Sequence, residues 1–380
     1  MRPKTNNHVA DPNDRSRRCR LLRLANTKSI LILVLLGVFL FCPYSDQPSA
    51  KINGSCAYCH TMHNSQRDIP NTFDGSSNPN PCLTKGDCKG CHAQRKTEYV
   101  VTLGTVRIPQ VYHSNPSYDL AGGNFGYIDG TKGSSPSSTK GHNVVAAITS
   151  LTGETLARPP GAEMDTGITN SNFTCAGQYG CHGDRNNKGN AAASMKGAHH
   201  GESSTLDGST VARSYRFLKG VKGIENNDSV WGWQNYDTGS SNRYKGANMP
   251  DPDATTVFPG ASGTISGFCS ECHGKFHGPG ENGHGSSAAW LRHPTDTLLP
   301  NTGEYLSYDP VNAFDGTVPV AYMDPTTPTR STAVVMCLSC HGAHGTNFSY
   351  LLRWDYSNMI AGNGGQYAET GCFKCHRDKD

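Results

Sequence analysis

Apolar residues in this 380-residue chain seldom fall into periodic patterns. An apolar run, Ile30–Phe41, follows a basic stretch containing Arg15, Arg17, Arg18, Arg20, Arg23 and Lys28. Small and polar residues then lead to Ser49-Ala50, which is the order of a secretory signal. The run is shorter than the roughly 18 residues that suggest a membrane span. Residues 1–50 are therefore read as a signal peptide, and 51–380 as an exported chain without a membrane span. Within that chain, Tyr99–Ile108 alternates around Leu103-Gly104 and predicts a β-hairpin. Thr131–Lys140, rich in Ser, Gly and Pro, reads as an exposed loop. Gly costs about 1 kcal/mol inside a helix, and there are 43 of them, so long helices are not expected.

Composition sharpens this picture. Charged residues make up 17% of the chain, below the ~25% usual for globular domains. Gly has no three-residue period, which excludes a collagen-like chain. The 15 Cys and 16 His are not what a solvated, disordered tail needs. Something other than a large aliphatic core must organise the fold. The formal charge of +3 is also uneven, because residues 1–50 hold eight Lys/Arg and three Asp. The remainder carries 26 basic against 28 acidic residues, so nothing supports nucleic-acid binding.

The cysteines supply the missing principle. Five times the chain writes Cys-x-x-Cys-His: Cys56/Cys59/His60, Cys88/Cys91/His92, Cys269/Cys272/His273, Cys337/Cys340/His341 and Cys372/Cys375/His376. This is the attachment motif of c-type haem. Two thiols add to the two vinyl groups, and the next imidazole ligates the iron. Zinc sites also use paired Cys but do not require His directly after the second. A sixth candidate, Cys175-Ala-Gly-Gln-Tyr-Gly-Cys181-His182, has five intervening residues. Its glycines would let the insert loop out, so that both thiols reach one porphyrin. The alternatives are a disulfide, or pairing of Cys175 with the otherwise unmatched Cys82. Six covalent haems are expected, or five if this site is unused.

Six irons need six distal ligands. Outside the signal and the proximal set, the chain offers His63, His113, His142, His199, His200, His277, His284, His293 and His344. Supply exceeds demand, so bis-His ligation is the economical reading. Such irons lack the thioether that raises potential in Met/His cytochromes, so low potentials follow. They also lack an open position for substrate, which points to electron transfer and away from catalysis. His63, His277 and His344 each lie three or four residues beyond a proximal histidine, too close to cross to that haem's distal face. Each must serve a different haem, which forces haems close together. His142 and His293 are the next candidates, and His199-His200 supplies one ligand or two. His113 and His284 are the expected spares. Met62, Met195, Met249 and Met336 read as packing residues.

The expected fold is a multihaem cytochrome. It is mostly irregular coil, with short helices and a few short β-hairpins around a closely packed haem chain, in one domain over 51–380. Porphyrins would supply the apolar bulk. No internal repeat beyond the haem motifs is evident.

Cys56-Ala-Tyr-Cys-His-Thr-Met-His-Asn-Ser-Gln66 resembles the N-terminal motif of multihaem cytochromes secreted by metal-reducing bacteria, including a hexahaem type that forms nanowires. Leu120-Ala-Gly-Gly-Asn-Phe125, Cys175–Gly183, Trp290–Asp296 and Leu351-Leu-Arg-Trp354 are similar to pieces of the same relatives. The resemblance implies electron carriage towards extracellular acceptors, with other cytochromes as partners and an extracellular or outer-surface location. In the filament-forming relatives the second histidine of the first motif ligates a haem of the neighbouring protomer. That role maps onto His63 and implies head-to-tail self-association. The alternatives are a soluble periplasmic carrier and a multihaem reductase with one open iron.

Overall fold

A computed structural model describes residues 51–63, 65–66, 69–73, 75, 77–94, 97–144, 158–161, 167–201, 205–225, 242–249, 261–277, 293–313, 315–363 and 365–379. The signal segment 1–50, His284 and Trp290–Arg292 lie outside these residues, as does the side chain of His277. The described residues fall in one compact unit, Ser49–Asp380.

Helices are one turn long or little more. They are α1 (Cys56–Cys59), α2 (Cys88–His92), α3 (Gly126–Asp129), α4 (Ala191–Ser194), α5 (Ile265–Ser270), α6 (Gly274–His277) and α7 (Cys337–Cys340). Among the described residues no helix is long and apolar enough to cross a membrane. Strands are equally short: β1 (Ser65–Gln66), β2 (Ile69–Pro70), β3 (Val100–Leu103), β4 (Val106–Pro109), β5 (Gly223–Ile224), β6 (Arg243–Lys245), β7 (Thr297–Leu298), β8 (Ala321–Tyr322) and β9 (Ala333–Val335). The expected hairpin is β3–β4, antiparallel from Val100↔Pro109 to Leu103↔Val106. Its turn is Gly104-Thr105, one residue later than the sequence pattern suggested.

One sheet has the order β5-β6-β8-β9-β7, with β6–β8 parallel and the other pairs antiparallel. Strand alternation divides its side chains between two small cores. Ala321 and Val334 join Tyr215, Val221, Tyr244, Ile265, Met336 and Leu338, whereas Tyr322 and Ala333 join Leu299, Tyr308 and Val320. A third cluster packs Ala93, Tyr112, Phe125, Ile128 and Val144. Three modest cores, and no single large one, match the low aliphatic content.

Two readings need correction. Thr131–Lys140 is not simply an exposed loop, because the Lys132 side chain is buried and its ammonium meets Asp119 at 3.0 Å, the Tyr118 carbonyl at 2.9 Å and the Asn115 carbonyl. A lysine held by three oxygens pins the segment down. Met62 is 79% exposed and is no packing residue, whereas Met336 is fully buried.

The fold also contains a repeat that the letters conceal. Cys82-Leu83, Arg216-Phe217 and Tyr350-Leu351 are consecutive residues with positive φ, between 46° and 62°. Each pair closes the same way: Thr61, Gly183 and Gly342 donate their N–H to Leu83, Phe217 and Leu351 oxygens at 2.8 Å. The donor in each case directly follows the histidine of a Cys-His motif, the first, third and fifth. Left-handed backbone at non-glycine residues costs of order 1 kcal/mol or more and concentrates at functional sites.

Glycine matters most where the 120–125 segment meets the fifth motif. Gly123 has φ +84°, and a Cβ there would lie 2.1 Å from the Gly345 oxygen. That close approach lets His344 donate its N–H to Gly122 oxygen at 2.7 Å, while His142 N–H reaches His344 oxygen at 3.1 Å. Gly123→Ala should destabilise the fold by about 2–3 kcal/mol through overpacking and a strained φ. It should also displace both histidines, giving high-spin haem absorbance alongside a lowered Tm. An unchanged melting curve and spectrum would count against this account.

Candidate haem-binding sites

The Cys-x-x-Cys segments at 56–59, 88–91 and 337–340 each form one turn of helix, that at 269–272 runs off the C-terminus of α5, and that at 372–375 follows a 3-10 turn, Gly371–Lys374. A turn of this length sets Cys i and i+3 on one face and delivers the following histidine beside them. The histidine N–H returns to the first cysteine's carbonyl: His60 to Cys56 at 2.8 Å, His273 to Cys269 at 3.0 Å, His341 to Cys337 at 3.1 Å and His376 to Cys372 at 3.0 Å. Asp87 caps α2 by accepting from Gly90 N–H at 2.7 Å.

Cys91, the second cysteine of the motif in α2, lies against the loop that precedes the helix. Its Sγ lies 3.7 Å from the Gly86 carbonyl oxygen. The reason is the tight turn at Gly86, where a Cβ would lie 3.0 Å from the Gly90 carbonyl carbon, so the loop backbone runs against α2. A thiol is only a weak donor, and thioether formation at Cys91 would remove that S–H and free the Gly86 oxygen. The Cys91 carbonyl is held separately, accepting the Gln94 and Gln110 side-chain amides at 3.1 and 2.9 Å. Two glutamines therefore fix the backbone of this cysteine whichever way its sulfur turns.

The irregular sixth motif closes the same bond as the regular ones. His182 N–H donates to Cys175 oxygen at 2.9 Å in spite of the longer spacing. The insert folds back on itself, with Thr174 N–H bonded to Tyr179 oxygen at 2.9 Å and Gly180 N–H to Gly177 oxygen at 3.0 Å, and Ala176, Gly177 and Gly180 buried. Gly180 is required there, since a Cβ would meet Ala176 N at 2.5 Å. No disulfide links Cys175 or Cys82; both are free thiols.

A ligating histidine ordinarily donates its second ring N–H to an oxygen, which fixes the tautomer and raises ligand basicity. All six motif histidines have such a partner at Nδ1. His60 donates to Cys82 oxygen at 3.0 Å, His182 to Arg216 oxygen at 2.9 Å and His341 to Tyr350 oxygen at 2.8 Å. These acceptors are the left-handed pairs described above. His92 and His273 donate to proline carbonyls, Pro109 at 2.9 Å and Pro160 at 2.7 Å. His376 differs, with Glu304 Oε1 at 3.4 Å.

The remaining histidines come to meet these rings. His200 faces His60 with centroids 6.1 Å apart, His199 faces His92 at 6.3 Å, and His344 faces His182 at 6.3 Å. His142 lies 6.1 Å from His273, and His293 lies 6.2 Å from His376. Imidazole nitrogens sit about 2 Å from a bound metal, so two rings on opposite sides of one iron have centroids roughly 6.3 Å apart. Directly stacked rings would be closer. The separations therefore fit a metal between each pair, and haem is the group that paired thiols beside one imidazole would hold. Among the described residues no three His, Cys, Asp or Glu converge as a bare metal ion requires.

Local structure explains the placement of the facing rings. Lys51 and Ile52 N–H bond to Gly201 and His199 oxygens at 3.2 and 3.1 Å, and Phe217 packs 5.0 Å from the His199 ring. His142 and His293 anchor their own Nδ1 on Ala343 oxygen at 2.7 Å and Pro294 oxygen at 2.9 Å. Burial lowers His142 and His199 to about 4, so both are neutral donors at pH 7. His344 is likewise held low by burial, then by His182. His113 serves no motif; fully buried, it lies 3.5 Å from Asp119.

Among the described residues, two further histidines have no facing ring. His341 is exposed, and among the described residues no imidazole faces it. His63 is also exposed, beside exposed Met62.

The thiols form a series that follows chain order. Burial, then Cys88, Asp87 and Cys181, push Cys175 up to about 12. Burial, then Cys272, push Cys181 up to about 11. Cys269 shares a hydrogen bond with Cys337, which with burial raises it well above the ordinary thiol value. Burial, then Cys372 and Cys337, push Cys340 up to about 12. Motifs two to six are thus neighbours in sequence order, and the adjacent His199 and His200 join the first two.

These features are those of covalent haem c attachment, repeated along one chain. The doubled CXXCH motif family matches residues 331–380, the last two motifs. The chain is similar to the C-type cytochrome OmcS of Geobacter sulfurreducens, 25% identical over 354 residues, covering 79% of this chain and 78% of the relative. Among solved structures, the cryo-EM structure of OmcS nanowires from that organism has a TM-score of 0.46 at 20% identity, covering 82% of this chain and 86% of that one. An Outer Membrane Cytochrome S filament from Geobacter sulfurreducens has a TM-score of 0.42 at 18% identity, over the same 82% and 86%.

Sequence reasoning missed Glu304, the Gly86 contact to Cys91 and the three left-handed carbonyl pairs. Only an excess of acceptors near each motif could have hinted at them, and that is no signal in a single sequence.

Proposed function

We propose that this chain is an exported hexahaem electron carrier, not an enzyme, whose bis-His haems pass electrons in sequence order to extracellular acceptors. Covalent haem supplies the one-electron chemistry; the chain's residues anchor, ligate and space it. Cys56/Cys59, Cys88/Cys91, Cys175/Cys181, Cys269/Cys272, Cys337/Cys340 and Cys372/Cys375 would hold six haems. His60, His92, His182, His273, His341 and His376 would be the proximal ligands. The facing His200, His199, His344, His142 and His293 would be distal ligands, with His341 the exception.

The observation that carries this reading is the set of opposed imidazoles at 6.1–6.3 Å, one, among the described residues, for every motif but the fifth. It leaves one ligand short at His341 and one exposed ligand spare at His63. Two copies joined head to tail satisfy both: His63 of one copy takes the distal place opposite His341 of the next. Exposed Met62 and Leu83 lie near one end of that contact, and exposed Tyr350 and Tyr356 near the other, which suits a contact surface. A heterologous contact that does not close generates a filament. The OmcS relatives solved as nanowires favour the same assembly.

A second reading follows from the same exposed His341. If it keeps an exchangeable distal position, the protein is a monomer with one reactive iron, as a reductase requires.

Mass spectrometry of the mature protein should give six haem additions, and the assembled oxidised protein should be wholly low-spin. Five additions would remove the Cys175/Cys181 site. Carbon monoxide binding to assembled, reduced protein would favour the open-iron reading.

A further inference from the structure

Five of the six motif histidines bond to neutral backbone carbonyls; His376 alone reaches a carboxylate, Glu304 Oε1. The contrast is sharpest against its even-numbered counterparts, where Pro109 and Pro160 carbonyls take the same place. Glu304 is built into the site. Its Oε2 accepts Asp378 N–H at 3.1 Å, and its Oε1 also accepts the Lys379 ammonium at 3.0 Å. The residue belongs to a 3-10 turn, Gly303–Ser307, whose Tyr305 ring lies edge-on to His376 at 5.4 Å. Two donors, one of them a charged ammonium, thus hold the side chain as a carboxylate against the His376 ring.

Resting on the hexahaem reading above, we propose that Glu304 is a positioning residue that lowers the reduction potential of the sixth haem. An anionic acceptor on Nδ1–H makes the imidazole a stronger donor through Nε2. A stronger donor favours ferric over ferrous iron, and outer hydrogen bonding of this kind is one of the protein's levers on potential. Lys379 offsets part of the charge, but it is an exposed side chain at 59%, in contact with solvent. The sixth haem ends the series within one copy. Lowering its potential makes the terminal site release its electron readily, which suits onward transfer to a neighbouring copy or an acceptor.

The site has its own spectroscopic label. The His293 and His376 rings are 77° apart, whereas the other four pairs lie between 24° and 48°. Near-perpendicular imidazole planes leave the iron d orbitals close to degenerate and give a highly anisotropic low-spin electron paramagnetic resonance signal. Near-parallel planes give an ordinary rhombic one.

The test is a redox titration of haem-loaded, full-length mature protein, followed by that signal, in native, Glu304→Gln and Glu304→Asp forms. At the potential where the native centre is half reduced, Glu304→Gln should raise its ferrous-to-ferric ratio about tenfold, equivalent to about 59 mV for one electron. Glu304→Asp, which keeps the charge, should restore most of the native value, and the rhombic centres should stay put in both variants. A signal that titrates at the native potential in Glu304→Gln overturns the inference and leaves the hexahaem reading intact. A uniform shift of all centres also overturns it, because that marks a global change. Absence of any highly anisotropic signal in native protein would instead sink the His293–His376 ligation on which the inference stands.

Discussion

His63→Ala should yield folded, six-haem protein that forms no filaments. Its effect is large because the change removes a metal–ligand bond at an interface and little else, since His63 is exposed in its own subunit. The fifth haem would keep His341, anchored on Tyr350 oxygen at 2.8 Å, but lose its distal ligand. One haem in six should then become high-spin and bind carbon monoxide when reduced. Electron microscopy and light scattering read the assembly, and carbon monoxide difference spectra read the open iron. Filaments of normal length from this variant would show that some other ligand serves His341. His277, close to the fourth motif in sequence, would then be the next to replace.

Removing both thiols of the irregular motif, Cys175→Ala with Cys181→Ala, should lower the mature mass by one haem. It should also cut end-to-end electron transfer by orders of magnitude. The third motif sits between the second and fourth: Cys175 neighbours Cys88, and Cys181 neighbours Cys272. Loss of a terminal haem shortens a chain, whereas loss of this one interrupts it. The protein should also lose stability, because His182 and His344 would face each other across an emptied space. Pulsed reduction at one end, with absorbance followed over time, measures the break. Unchanged mass in the double variant would mean that no haem attaches here.

The chemistry was largely legible in the letters, because haem attachment is local. Cys-x-x-Cys-His works through a few residues of backbone, so spacing alone nominates the anchors and the proximal imidazoles. The same locality made the β3–β4 hairpin readable from alternation between Tyr99 and Ile108. It also made it clear that His344 could not serve the haem of His341, three residues away. Counting was informative too: nine spare histidines for six irons pointed away from methionine.

Partnerships across the chain were not readable, since contact between distant segments depends on how backbones pass one another. His142 and His344 adjoin because Gly123, Gly141 and Gly345 let three segments of chain approach closer than a Cβ allows. That His199-His200 reaches two rings, not one, depends on hydrogen bonds from Lys51 and Ile52, about 150 positions upstream. The Cys91 sulfur turns to Gly86 because the loop before α2 passes beside it, which the spacing of its motif does not record. Met62 carries the same side chain as Met336, yet one is exposed and the other fully enclosed. The three left-handed turns that hold His60, His182 and His341 share no motif, because a backbone conformation can be imposed on Cys-Leu, Arg-Phe or Tyr-Leu alike by the bonds around it. Glu304 meets His376 across 72 positions for the same reason: a carboxylate's role is set by what the fold brings to it.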